Sequence, residues 1–166
     1  MNFGLTAEEL HTILSALPSI GDQNALAVNI LLATCTRIGE LAKAEWTHVD
    51  FDKAERLIPD ANSKTGRSFT VPLAPAVVEW LRALQPFAYG SRYVLPARQQ
   101  QRHHENGGDD PFEQRSLNAV LHKLCARLGD KCRRFTPSGC LGRQCHRCRT
   151  LPESLLGRPC CSVRPA

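Results

Sequence analysis

The chain has 166 residues, 42% of them hydrophobic and 22% charged, enough for one domain with a real core. No apolar run reaches the roughly 18–20 residues that span a bilayer, and MNFGLTAEEL has neither the basic nor the apolar part of a secretory signal, so the chain reads as cytoplasmic and not membrane-bound. A net charge of +5 mildly favours a polyanionic partner.

Thr6-Ala7-Glu8-Glu9 is a capping box, and Leu10, Ile13, Leu14 and Leu17 follow at helical spacing, so an amphipathic helix is predicted up to Pro18. Asp22 is a candidate N-cap for a helix from Gln23 to Thr34 that is apolar on most faces and belongs in the middle of the core. Arg37–Lys43 reads as a further short helix with Ile38, Leu41 and Ala42 inward. Glu55–Pro59 and Ser68–Val71 are strand candidates around the turn-like Asn62–Gly66, giving a small two- or three-stranded sheet that needs the helices for support. Pro75 suits a first helical turn, and Val77, Val78, Leu81 and Leu84 form one apolar face of the helix it opens. Gln99–Asp110 is polar and predicts a mobile surface loop. Its His103-His104 pair lacks a third ligand at suitable spacing and reads as solvated. Leu117, Val120, Leu121, Leu124 and Leu128 define a helix from about Ser116 to Leu128, with Gly129 at its C-cap. The fold class is mainly α with a small antiparallel β-sheet (α+β).

Arg37 stands just past the most apolar segment and needs a partner. An intrahelical ion pair with Glu40 is one answer, and a phosphodiester held by its fork of donors is the other. Lys64, in the turn between the strand candidates, reads by pattern alone as a solvated charge.

TCTRIGEL, then SKTGRSFTVPL some 25 residues later, an amphipathic helix and RRFTP together resemble the catalytic domain of tyrosine recombinases, the phage integrases, over about Leu5–Pro137. Each piece is weak alone, but the shared order and spacing are specific. The resemblance implies a site-specific recombinase role in integration and recombination of mobile elements. Double-stranded DNA would be the substrate, and other recombinase subunits would be further partners. It implies that Arg37 clamps the non-bridging oxygens of the scissile phosphate, where charge develops during transfer. Glu40 becomes structural support orienting Arg37. Lys64 becomes the hairpin lysine that contacts a base and protonates the leaving 5′-oxygen, a task suited to a flexible single-charge donor. Arg67 is assigned backbone phosphate or solvent.

The pattern then breaks. After Phe135-Thr136-Pro137 the family continues His-x-x-Arg, whereas this chain has Ser138 and Leu141 at those positions. Arg143 and His146 do not have the family spacing and receive no role. The tyrosines, Tyr89 and Tyr93, both precede the last predicted helix, whereas the family nucleophile comes near the C-terminus. They are read as packing residues beside Trp80 or Phe87, so no nucleophile is assigned. Five of the eight cysteines fall in 140–166, where periodicity also disappears. A partial catalytic domain (1–137) followed by an irregular Cys/Arg-rich tail (138–166), read as a frame-shifted or otherwise disrupted ending, accounts for both changes. The competing reading is a zinc-binding tail built on Cys140, Cys145, His146 and Cys148. Its ligand gaps make a poor chelate, so no metal and no cofactor are expected. The chain begins directly at the catalytic-domain helix, without the DNA-clamping domain that precedes it in this family, which predicts weak and salt-dependent DNA affinity. On these grounds whether the chain is an active enzyme stays open: it is catalytically incomplete, and the alternative function is a non-catalytic DNA-binding or non-functional remnant.

Overall fold

The computed structural model describes residues 6–97 and 109–128. Helix α1 (Ala7–Ala16) begins with the predicted capping box. Thr6 N–H donates to Glu9 Oε2 at 2.7 Å and Glu9 N–H donates to Thr6 Oγ1 at 3.2 Å. The helix gives way at Leu17–Ile20 to a 3-10 turn with Pro18 in its first positions. Helix α2 (Asp22–Thr34) differs from expectation at its start. Asp22 is already helical, and Gly21 with φ 85° is the cap, since a residue lacking Cβ adopts that backbone angle without strain.

Buried residues occur on every face of α2, with Ala27, Val28, Ile30, Leu31 and Leu32 all in the core. Helix α4 (Pro75–Leu84) packs along it with Val77, Val78, Leu81 and Leu84 inward. Helix α5 (Gln114–Leu128) adds Leu117, Leu121 and Leu124, and packs on α1 and on the short α3 (Ile38–Ala42). A helix buried all round can only be the centre of such a bundle.

Strands β1 (Val49–Asp50), β2 (Glu55–Ile58) and β3 (Phe69–Pro72) form one antiparallel sheet in that order. Register pairs Arg56 with Val49 on one side and Val71 on the other. Alternation along β2 exposes Glu55 and Leu57 and buries Arg56 and Ile58. The fold is therefore mainly α with a small antiparallel sheet.

Asp109 is not a solvated loop residue. Ser91 Oγ donates to it at 2.6 Å and Arg92 N–H at 2.9 Å, which ties the start of the α5 approach to the segment after α4. The remainder of the Gln99–Asp110 loop before Asp109, with His103 and His104, lies outside the described residues. So do Gly129, Phe135-Thr136-Pro137, Arg143, His146 and the cysteine-rich tail. No helix among the described residues is long and apolar enough to cross a membrane.

Candidate active site

The chain turns sharply out of α2. Cys35 takes the left-handed conformation (φ 53°) that stops the helix, and the Thr34 and Thr36 hydroxyls, 2.9 Å apart, brace the corner from within. Arg37 follows in an extended conformation and is the N-cap of α3 rather than its first turn. This placement differs from the predicted Arg37–Lys43 helix and has a consequence. Three residues on, Glu40 reaches back to the start of its own helix, where orphan N–H groups and the helix dipole favour a carboxylate. Its Oε2 accepts from Arg37 N–H at 2.8 Å, and its Oε1 accepts from Arg37 Nη1 at 2.9 Å.

The two partners differ in burial. The Arg37 side chain is 42% exposed, whereas that of Glu40 is 3% exposed. One edge of the guanidinium is thus fixed by a buried carboxylate and the remainder faces outward. The ion pair with Glu40, one of the two alternatives left open by the sequence, is present, and it leaves part of the fork open to solvent. The ion pair with Glu40 is what aims the fork.

Lys64 comes to the same place from the β2–β3 connection. Arg37, Gly39, Glu40, Lys43, Asn62, Ser63, Lys64 and Gln114 line one cavity of about 240 Å³. The connection is not a bare hairpin turn. A 3-10 turn at Asp60–Asn62 leads into it, Ser63 N–H donates to Pro59 O at 3.0 Å, and the Ser63 and Thr65 hydroxyls lie 2.9 Å apart. Asn62 Nδ2 donates to Lys43 O at 3.4 Å, linking this loop to the end of α3. Lys64 itself is exposed, so its ammonium is free to swing over the cavity.

A larger surface hollow of about 780 Å³ lies elsewhere, lined by residues that include Asp50, Asp52 and Glu55. Asp50 is held below the usual carboxylate range, chiefly by the Lys53 backbone N–H, and keeps its negative charge. An acidic hollow repels phosphate. The smaller cationic cavity is the candidate site.

Tyr93 is buried with its hydroxyl accepting from Arg92 Nη2 at 2.7 Å, whereas Tyr89 is 73% exposed and does not pack as predicted. Neither lines the cavity. No group of three or more metal-ligating side chains occurs among the described residues. Two of the lining side chains escaped the sequence reading. Lys43 and Gln114 carry no local signal, because only tertiary packing brings them to the cavity. Arg56 does not line the cavity, but it shares the inward register of Ile58 on β2 and also escaped the sequence reading.

An α+β domain thus brings a carboxylate-held arginine and a loop lysine to one cavity. Comparison with known proteins makes this specific. The model of the phage integrase family matches residues 4–140, and the chain belongs to that family of tyrosine recombinases. It is 29% identical over 114 residues to prophage integrase IntA of Escherichia coli (strain K12), a match covering 69% of this chain and 25% of that protein. The crystal structure of XerA recombinase is similar in fold, with a TM-score of 0.63 at 18% identity over 82% of this chain and 47% of that one. The chain thus spans about a quarter of the integrase and about half of the recombinase.

Proposed function

We propose that these residues bind double-stranded DNA as part of a site-specific recombinase catalytic domain and that the chain alone does not cut it. One observation carries the reading. Arg37, Glu40 and Lys64, from two separate parts of the chain, line the same cavity. In this reading Arg37 holds the non-bridging oxygens of a phosphodiester and Glu40 keeps its fork in place. Lys64, a compact charge on a flexible stem, reaches a base or the leaving oxygen beside it. Fixed donors matter here because phosphoryl transfer needs little from a protein beyond position and charge.

The second half of the chemistry has no carrier in the sequence. Ser138 and Leu141 stand where the family pattern has His and Arg, and no tyrosine follows Tyr93. The family match ends at residue 140, within three residues of Pro137, which supports a disrupted motif at that point. A second recombinase subunit is the source from which the missing groups would come. Incubation with a nicked suicide substrate tests the proposal: retarded DNA without a covalent protein–DNA adduct is expected. An adduct formed by this chain alone would overturn the incomplete reading, and equal retardation by the Arg37→Ala variant would overturn the role of Arg37.

A further inference from the structure

Arg56 is the outlier of the core. Its side chain sits on the inner face of the sheet between Val49 and Val71, and the residue is only 2% exposed. Neither Nη1 nor Nη2 has a hydrogen-bond partner among the described residues. Burial pushes the guanidinium down to about 10, with the charge of Glu40 opposing the drop, so the group remains a cation at neutral pH. A charge so placed is a poor packing choice, because an apolar side chain of similar volume fills the space without the desolvation penalty.

Glu40 is the group that makes sense of it. Both oxygens of that carboxylate are already engaged by Arg37, and the residue is 4% exposed. When Arg37 is drawn onto a phosphate, one guanidinium serves two anions, and the buried carboxylate also faces the negative charge of the phosphate. The other cations near the cavity, Lys43 and Lys64, are exposed and belong to its rim. Arg56, buried and outside the cavity lining, feels the charge of Glu40, and its terminal nitrogens have no hydrogen-bond partner among the described residues.

We propose that Arg56 is a positioning residue, the buried second counter-cation of Glu40, which holds that carboxylate in place while Arg37 engages a phosphate. The proposal rests on the phosphate-binding reading of Arg37. Arg56 touches no DNA and acts only through Glu40.

The test uses the full 166-residue chain, a fluorescent duplex DNA at low salt, and two variants. Arg56→Met keeps the volume and removes the charge, while Arg56→Lys keeps the charge and changes the shape. Arg56→Met is expected to unfold at the same or a higher temperature than the parent, yet to bind duplex about tenfold more weakly. Arg56→Lys recovers most of that affinity. A purely structural role gives the opposite order, with the methionine substitution tolerated and the lysine substitution harmful, and that order overturns the proposal. A second arm needs no DNA. Glu40→Gln should lower the unfolding temperature more in the parent than in the Arg56→Met background, and additive effects overturn the coupling. If the parent and Arg37→Ala bind DNA alike, the phosphate reading fails, while the thermal cycle still reports whether Arg56 and Glu40 act together.

Discussion

At the residue scale, Glu40 is one buried carboxylate serving two guanidinium groups. Arg37 meets it by direct hydrogen bonds, and Arg56 interacts with it through charge alone. The exposed half of the Arg37 pair adds little to stability, because water and salt screen it. The buried half is different. Glu40→Gln keeps the shape and one acceptor but removes the counter-charge from a cation that cannot reach water. The expected loss is about 3 kcal/mol, the scale for breaking a buried pair, measured by urea unfolding at neutral pH. A loss below about 1 kcal/mol would mean that Arg56 finds its compensation elsewhere. The sign for Arg56 runs the other way. Burial lowers its pKa to about 10 in the folded chain, below that of the unfolded one, so its charge opposes folding at every pH below about 10. The opposition fades as pH rises past about 10. Such a group persists through function more readily than through stability.

At the element scale, the short α3 decides the site, and its most informative position is Gly39. A Cβ there would lie 2.9 Å from Gln114 Oε1, at the first residue of α5, so glycine is what lets the amide lie against α3. Gly39→Ala gains helix propensity of up to about 1 kcal/mol, and the atom it displaces is the end of a flexible side chain. Thermal unfolding should therefore shift little in either direction, whereas the amide must swing across the cavity and duplex binding should fall a few-fold. A collapse of the fold on this substitution would show that Gln114 cannot move. The same stretch shows how legible the chain was. Periodicity placed α1, α4 and α5, which repeat apolar residues at helical spacing, and a nearly continuous apolar run placed α2. Arg37 was assigned to a helix and turned out to cap one, since caps depend on the backbone angles of Cys35 and its neighbours, which the residue types alone do not reveal. Arg56 lay in a strand whose alternation was readable, but arginine is almost never fully buried, and that expectation masked the register. Lys43 and Gln114 were invisible until α3 and α5 packed together.

At the scale of the whole molecule, stability is concentrated in α2. Leu31 is fully buried beside α4, so Leu31→Ala should cost about 3 kcal/mol of unfolding free energy, read from the denaturation midpoint. That is a large part of a domain's usual 5–15 kcal/mol. Charge, by contrast, is divided across the surface. The net charge is +5, yet Asp50, Asp52 and Glu55 gather around one hollow while Arg37, Lys43 and Lys64 gather around another. If the chain binds DNA as proposed, a duplex would be repelled by the first and drawn to the second, so the field would orient it before any contact forms. Three cations on three phosphates release about three counterions, giving a slope of log affinity against log salt near −2.7, at roughly −0.9 per phosphate. Lys64→Ala should reduce that slope by about 0.9 and weaken binding uniformly across sequences, because a phosphate contact carries no base information. A titration of duplex binding over several salt concentrations measures both. An unchanged slope in Lys64→Ala, with weaker binding confined to particular sequences, would instead place Lys64 on a base edge, the other contact that its loop can reach.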